Sequence, residues 1–172
     1  WYRPNGPTPT THILKLPMGK VGGVQADFST SVDNEWLCLR ILKAFGLPTA
    51  NAEVARFGSQ RVLVVERFDR ARSARVSRIL RLPQEDFCQA TGLPSRLKYE
   101  ADGGPGLQTL FNVLTGSTTP EEDARTLMKA QVLFWLLRAP DGHAKNFSLR
   151  ILPRGAYQLT PLYDVMTAWP II

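Results

Sequence analysis

Residues 139–149 read APDGHAKNFSL, so Asp141, His143, Lys145 and Asn146 crowd one short segment directly after the apolar run VLFWLL. An Asp followed five residues later by an Asn, between a helix and a strand, with a further Asp at the end of the next strand, suits phosphoryl transfer. Asp164 in LTPLYDV is that further carboxylate. The first carboxylate must reach an attacking hydroxyl; the amide oxygen and the second carboxylate are hard oxygen donors of the kind magnesium takes. The D-x-x-x-x-N pair alone carries little weight, since chance supplies it roughly 0.3 times in a chain of this length. Its weight comes from order. Lys15 falls on an early strand, Glu35 in the first turn of the following helix, and a hairpin leads to Glu66 and Phe68 before the loop is reached.

These residues need elements to position them. THILKLP alternates and stops at Pro17 as a strand would, with Lys15 and Ile13 on one face. A glycine-rich connection around Gly19, Gly22 and Gly23 follows. STSVDNEWLCLRILKAFGLP then reads as a complete helix: Ser31 is the expected N-cap, Asp33 and Glu35 sit in the positive first turn, Gly46 ends it and Pro48 bars continuation. Val32, Trp36 and Leu39, flanked by Leu42 and Phe45, form its expected core side. AEVARF and RVLVVERF, around Gly58-Ser59-Gln60, form a hairpin whose second strand is β-branched and central. PQEDFCQATGL predicts a short helix from Pro83 to Gly92, and KYEADGGPG a loop. Thr119-Pro120-Glu121-Glu122 predicts a capping box opening a long helix, buried toward its C-terminal end. Pro140 disfavours helix at Ala139, and FSLRIL pairs with AYQLTPLYDV around Pro153-Arg154-Gly155.

Composition bounds the rest. With 172 residues, 44% hydrophobic and 21% charged, the chain suffices for one core or a lobe packed on a larger one. The longest apolar run, Val132 to Leu137, is six residues, far below the roughly 20 of a membrane span, and no signal-peptide pattern opens the sequence. No membrane role and a cytoplasmic location are expected. Cys38 and Cys88 sit in apolar contexts and read as buried free thiols; with His12 and His143 they make no zinc spacing. The net charge is +6, and Arg67, Arg70, Arg72, Arg75, Arg78 and Arg81 face a single acid, Asp69. That run is either a solvated hairpin or a docking surface for an acidic partner or nucleic acid.

Taken singly, Lys15 reads as a surface strand lysine, Glu66 as a strand end, and His143 equally as a satisfied loop histidine or a catalytic participant. The Asp141, Asn146 and Asp164 trio has no such simple structural explanation. Trp135, Trp169 and Tyr163 read as core aromatics rather than stacking platforms.

TPTTHILKLP, SVDNEWLCL, VVERFDR, LPQEDFCQATGLPS, KYEADGGPG, DGHAKNFS and LTPLYDV together resemble the HipA toxins, serine/threonine kinases of bacterial type II toxin-antitoxin modules, over essentially the whole chain. The resemblance implies an α+β, protein-kinase-like fold related to the phosphatidylinositol-kinase type, with residues 1–70 in the N-lobe and 71–172 in the mostly helical C-lobe. It implies ATP and Mg2+ as cofactors, a HipB-like DNA-binding antitoxin as partner, and DNA contact only through that antitoxin. Its implied target is an aminoacyl-tRNA synthetase, typically the glutamyl enzyme, with growth arrest and persistence as the outcome. By position, Asp141 becomes the catalytic base, and Asn146 and Asp164 become metal ligands. Lys15 contacts the nucleotide phosphates, and Glu66 and Phe68 border the adenine. His143 lies near the phosphates or orients the loop, and Glu35 partners Lys15. Family members carry a serine- and glycine-containing phosphate loop before this region and further helices after it, so a fragment or truncated relative is expected. Pro140 stands where the family commonly has threonine and removes a backbone donor. A non-catalytic binding module in an antitoxin complex is the competing reading. A small-molecule phosphotransferase shares the Asp, Asn and Asp logic but fits the quoted segments less well.

Overall fold

The computed structural model describes residues 3–22, 26–73 and 78–170. β1 (His12–Lys15) is the expected lysine strand. The glycine-rich connection after it is more than a loop: β2 (Gly19–Val21) and β3 (Ala26–Phe28) pair antiparallel, Lys20 opposite Asp27. Gly23, part of that expected connection, lies outside the described residues.

α1 spans Ser31–Ala44. Its N-cap is Thr30 rather than Ser31, and the Ser31 hydroxyl instead accepts the Met18 N–H at 3.0 Å. The helix ends as its sequence predicts. Gly46 takes φ 77° and its N–H reaches the Lys43 carbonyl, while the Leu47 N–H reaches Leu42, a Schellman closure. Val32, Leu39 and Leu42 are buried and Trp36 packs at the margin, but Phe45 is 62% exposed because it is the C-cap, beyond the last core-facing turn.

β4 (Ala52–Phe57) and β5 (Gln60–Glu66) form the expected hairpin, with Phe57 opposite Gln60 so that only Gly58 and Ser59 turn the chain. β5 lies between β1 and β4, and Val62 to Val65 are buried, as a central strand requires. β6 (Arg70–Ser73) and β7 (Arg78–Arg81) pair next; Arg75 lies outside the described residues. Buried Asp69 is held by Arg67, 2.9 and 2.6 Å away, and by Arg70 at 2.6 Å, while Arg72, Arg78 and Arg81 are exposed.

The helix expected from Pro83 starts later. Gln84–Asp86 form β8, and α2 (Phe87–Ala90) begins where Asp86 and Gln89 exchange 2.9 Å hydrogen bonds as a capping box. Strand pairing took the first residues of the segment. Gly92, at φ 69°, ends it as expected. α3 (Leu107–Leu114) has no counterpart among the expected elements: it is eight residues long, buries Leu110 and Leu114, and follows a Gly-Gly-Pro-Gly run that reads as loop.

α4 spans Pro120–Leu136, with proline in the first turn and Thr119 at the N-cap, but the Thr119 side chain makes no capping bond. The predicted capping box is therefore absent. Asp123, in the same first turn, is buried and accepts the Leu159 N–H at 3.1 Å. Leu127, Ala130, Leu133 and Phe134 face the core, whereas Met128, Val132, Leu136 and Trp135 (79%) are exposed. The helix end is thus apolar all round but buried on one side only, which corrects the expectation of general burial there. Trp135 and Trp169 (56% exposed) are not core aromatics; Trp169 lies under the Arg138 guanidinium, 4.8 Å from the ring centroid. Tyr163 does pack inside, against Phe68 in the smaller core.

β9 (Ser148–Ile151) and β10 (Tyr157–Leu159) pair around Pro153–Gly155 as expected, but β10 stops at Leu159, so Asp164 lies beyond the strand rather than at its end; β8 completes the sheet in the order β10-β9-β8. A small cluster of Val32, Ala50, Leu63 and Val65 lies between α1 and the β1-β5-β4 sheet. The larger cluster joins Cys38 and Leu42 of α1 to Phe87, Leu127, Phe134, Phe147 and Leu162. Cys38 and Cys88 are free and buried, and burial pushes the Cys38 thiol up to about 11. Among the described residues, no helix is long and apolar enough to cross a membrane.

Candidate active site

Backbone hydrogen bonds, not chain proximity, bring Asp164 to the lysine strand. The segment after β10 runs beside Pro48–Ala50: the Leu162 N–H donates to the Pro48 carbonyl and the Ala50 N–H to that of Leu162, each at 2.8 Å. Three residues beyond Asp164, Thr167 is clasped by Asn34 of α1. The Asn34 amide donates to the Thr167 carbonyl and accepts the Thr167 N–H, both at 2.8 Å. Asp164 itself takes φ 57°, a sparsely populated region that structures hold mainly where surroundings over-determine it.

The Lys15 ammonium sits between two carboxylates. It lies 2.8 and 2.9 Å from the two oxygens of Glu35 and 2.7 Å from Asp164 Oδ1. Glu35 is nearly enclosed, its side chain 5% exposed, whereas that of Asp164 is 52% exposed. Burial alone would pull the Lys15 pKa down, but Glu35 and Asp164 together hold it above its ordinary value. Burial pushes the Glu35 carboxyl up, and Lys15 offsets this only in part. Two carboxylates around one ammonium leave one negative charge in excess, which favours the protonated forms of Lys15 and Glu35. A cavity of about 70 Å³ opens here, bordered by Lys15, Met18, Glu35, Asp164 and Met166.

The 140–146 loop approaches Asp164 from the other side. α4 ends when the Leu137 N–H reaches Leu133 and Arg138 turns to φ 48°; Pro140 therefore lies beyond the helix and removes no helical bond. Gly142 is packed against Phe134, whose ring carbon would lie 2.9 Å from an added Cβ. The loop closes in a single turn, Ala144–Asn146, with the Asn146 N–H on the His143 carbonyl at 2.9 Å. Buried Asn146 donates from Nδ2 to the Asp164 backbone carbonyl at 3.1 Å. That bond directs the amide nitrogen inward and leaves Oδ1 as the oxygen donor beside Asp164. An amide oxygen and a half-exposed carboxylate, in a pocket with excess negative charge, fit a hard divalent cation. Lys145 is turned away, 2.6 Å from Asp86.

Asp141 is half-buried and accepts the Tyr99 hydroxyl at 3.3 Å on Oδ1. The His143 ring meets Tyr99 edge-on with centroids 4.9 Å apart, and its buried Nδ1 has no hydrogen-bond partner among the described residues. Burial, then the Lys98 ammonium, lowers the His143 pKa. Phe68 packs against the small core, and Glu66, two residues before it, is exposed at the end of β5. The exposed Glu66 carboxylate accepts from Asn51 at 3.1 Å, and the Glu66 N–H is committed to the Asn51 carbonyl at 2.8 Å. The Phe68 ring lies 5.7 Å from Tyr163, whose hydroxyl joins Ser148 at 2.5 Å and the Lys145 carbonyl at 3.0 Å; burial pushes that phenol up to about 12. Direct bonds thus link Lys15, Glu35, Asp164 and Asn146. Asp141 and His143 join them through their shared loop, and Glu66 and Phe68 stand at the margin. Sequence reasoning passed over Tyr99 and Asn34. Tyr99 lay within a quoted motif read only as loop, and Asn34 carried no signal beyond its place between two acids.

The family described as the HipA-like C-terminal domain matches residues 2–172. The Sinorhizobium fredii protein Y4mE is 36% identical over 159 residues, covering 92% of this chain and 36% of Y4mE. The serine/threonine-protein kinase toxin HipA of Shewanella oneidensis is 29% identical over 173 residues, 94% of this chain and 38% of that protein. The chain therefore spans little more than a third of either relative. The Shewanella HipA structure, solved with HipB and operator DNA, superposes with a TM-score of 0.74 at 28% identity, covering 92% of this chain and 38% of that one. The Helicobacter pylori proinflammatory kinase CtkA shares the fold at a TM-score of 0.63 and 15% identity, over 89% of this chain and 50% of that one. The α+β, kinase-like fold follows, and the chain belongs to the HipA-like C-terminal domain family.

Proposed function

We propose that this chain carries the phosphoryl-transfer site of a HipA-like serine/threonine kinase toxin, moving the γ-phosphate of ATP to a protein hydroxyl. The observation that carries the reading is the Lys15 ammonium bridging Glu35 and Asp164 at 2.7–2.9 Å, with Asn146 bonded to Asp164. In this reading residues 1–70 belong to the N-lobe and 71–172 to the C-lobe. Lys15, held by Glu35, meets the nucleotide phosphates, and Glu66 and Phe68 border the adenine. Asn146 and Asp164 hold Mg2+, which supplies charge neutralisation at the phosphates. Asp141 accepts the hydroxyl proton, and His143 supports the loop. Phosphoryl transfer rests mainly on positioning and electrostatic stabilisation, and this constellation offers both.

A solved relative in complex with HipB and operator DNA supports a HipB-like antitoxin as partner, with DNA reached through it; an aminoacyl-tRNA synthetase such as the glutamyl enzyme is the proposed substrate, on the family resemblance alone. Growth arrest in the cytoplasm is the consequence. The test is transfer of labelled γ-phosphate from Mg-ATP to protein by the full gene product, beside its Asp141→Asn variant. Transfer that falls at least about 100-fold in the variant supports the reading. Equal transfer by both, or none by the parent, contradicts it.

A further inference from the structure

The loop from Lys98 to Gly106 is built onto the catalytic loop. The Lys98 carbonyl accepts the Ala144 N–H at 3.2 Å, the Tyr99 hydroxyl donates to Asp141 Oδ1 at 3.3 Å, and the Tyr99 ring abuts that of His143. The Lys98 ammonium lies 4.9 Å from the Tyr99 ring centroid. Between the loops is a cavity of about 150 Å³, bordered by Lys98, Tyr99, Pro140, Gly142 and His143. The same His143 carries the buried Nδ1 that lacks a partner among the described residues, a rarity in folded proteins that calls for an explanation.

The backbone of this loop is tightly constrained. A Cβ on Gly104 would stand 2.2 Å from the Leu97 carbonyl oxygen and 2.7 Å from that of Tyr99, so only glycine passes beneath its own chain there. The Tyr99 carbonyl is tied down in the same turn, accepting the Gly104 N–H at 2.9 Å and the Asp102 N–H at 3.1 Å. Tyr99 is thus fixed at its backbone and by its ring before its hydroxyl reaches Asp141.

A hydrogen bond between a partly exposed phenol and a partly exposed carboxylate adds little to stability, because water competes for both groups. Its effect is geometric. A carboxylate has two oxygens, and holding Oδ1 fixes the direction of Oδ2, which has no hydrogen-bond partner among the described residues.

We infer that Tyr99 is a positioning residue that fixes the Asp141 carboxylate so that Oδ2 faces the phosphate acceptor. The inference rests on the kinase reading above. In that step the acceptor O–H proton passes to Oδ2 as the new O–P bond forms, and the bond from phosphorus to the departing ADP oxygen breaks. Tyr99 gains and loses no atoms.

The test compares the full gene product with its Tyr99→Phe and Tyr99→Leu variants. Tyr99→Phe keeps the ring against His143 and removes only the hydroxyl. The expected result is an unchanged melting temperature, an unchanged Mg-ATP-induced rise and an unchanged KM for ATP, with kcat lowered about ten-fold. Tyr99→Leu should lower kcat at least as far. Parental kcat in Tyr99→Phe, with loss only in Tyr99→Leu, overturns the inference and leaves ring packing as the role of Tyr99, with the kinase reading intact. No transfer by the parent itself overturns both.

Discussion

Asp164 Oδ1 lies 2.7 Å from Lys15 Nζ across 149 residues of sequence. The contact joins the first strand to the segment after the last, and it gives the Asp164 carboxylate an ammonium as counter-ion. Glu35 completes the arrangement from α1, so three separate parts of the chain meet at one nitrogen.

Removing that nitrogen should be costly. Lys15→Met leaves the Glu35 carboxylate enclosed with no counter-ion, and unfolding by denaturant should show a loss of roughly 1–3 kcal/mol, discounted for the partial exposure of Lys15. Adding Glu35→Gln should recover part of it, because the uncompensated buried charge is then gone. A Lys15→Met protein as stable as its parent contradicts the pairing.

His143 gives stability a dependence on pH. Its folded pKa is depressed below the usual 6.5 by burial, then by Lys98, so folding favours the neutral ring. A group depressed in the folded state contributes fully above its unfolded value, and that contribution is lost as pH falls through the folded one. Melting temperatures measured from pH 7.5 downward should therefore fall in the acid range below 6.5, and His143→Gln should flatten that fall. An identical slope in both proteins contradicts the assignment.

Gly104 and Gly106 should respond differently to alanine. At Gly104 the added carbon meets backbone oxygens that cannot move alone, whereas at Gly106 it meets the Glu100 carboxylate, the free end of a side chain. Gly104→Ala should cost roughly 1–3 kcal/mol in chemical denaturation and Gly106→Ala less. The reverse order contradicts the loop geometry.

Much of this fold is written locally in the sequence. The α1 terminus at Gly46, the two-residue turn at Gly58-Ser59 and the buried run Val62 to Val65 all follow from residue type and spacing. Departures occur where a distant segment decided the matter. Gln84–Asp86 became a strand because β9 was there to pair with it, and Ser31 gave up its capping role to Met18. Apolarity showed that the end of α4 was hydrophobic but not which side meets the core, so Trp135 and Met128 face outward. The site divides in the same way. Spacing and order together single out Asp141, Asn146, Asp164 and Lys15 as candidates, while Tyr99 depends on a cross-loop contact 42 residues away in sequence.

The most direct measurement is the melting temperature with and without Mg-ATP, for the parent and for Asp164→Ala. At a nucleotide concentration about 100 times Kd, linkage gives about 2.7 kcal/mol, which for a domain of this size is a rise of roughly 5–10 °C. The account predicts that rise in the parent, its dependence on the divalent cation, and its loss in Asp164→Ala. No rise in the parent, or an equal rise in both proteins, would contradict a nucleotide site built on Lys15, Asn146 and Asp164.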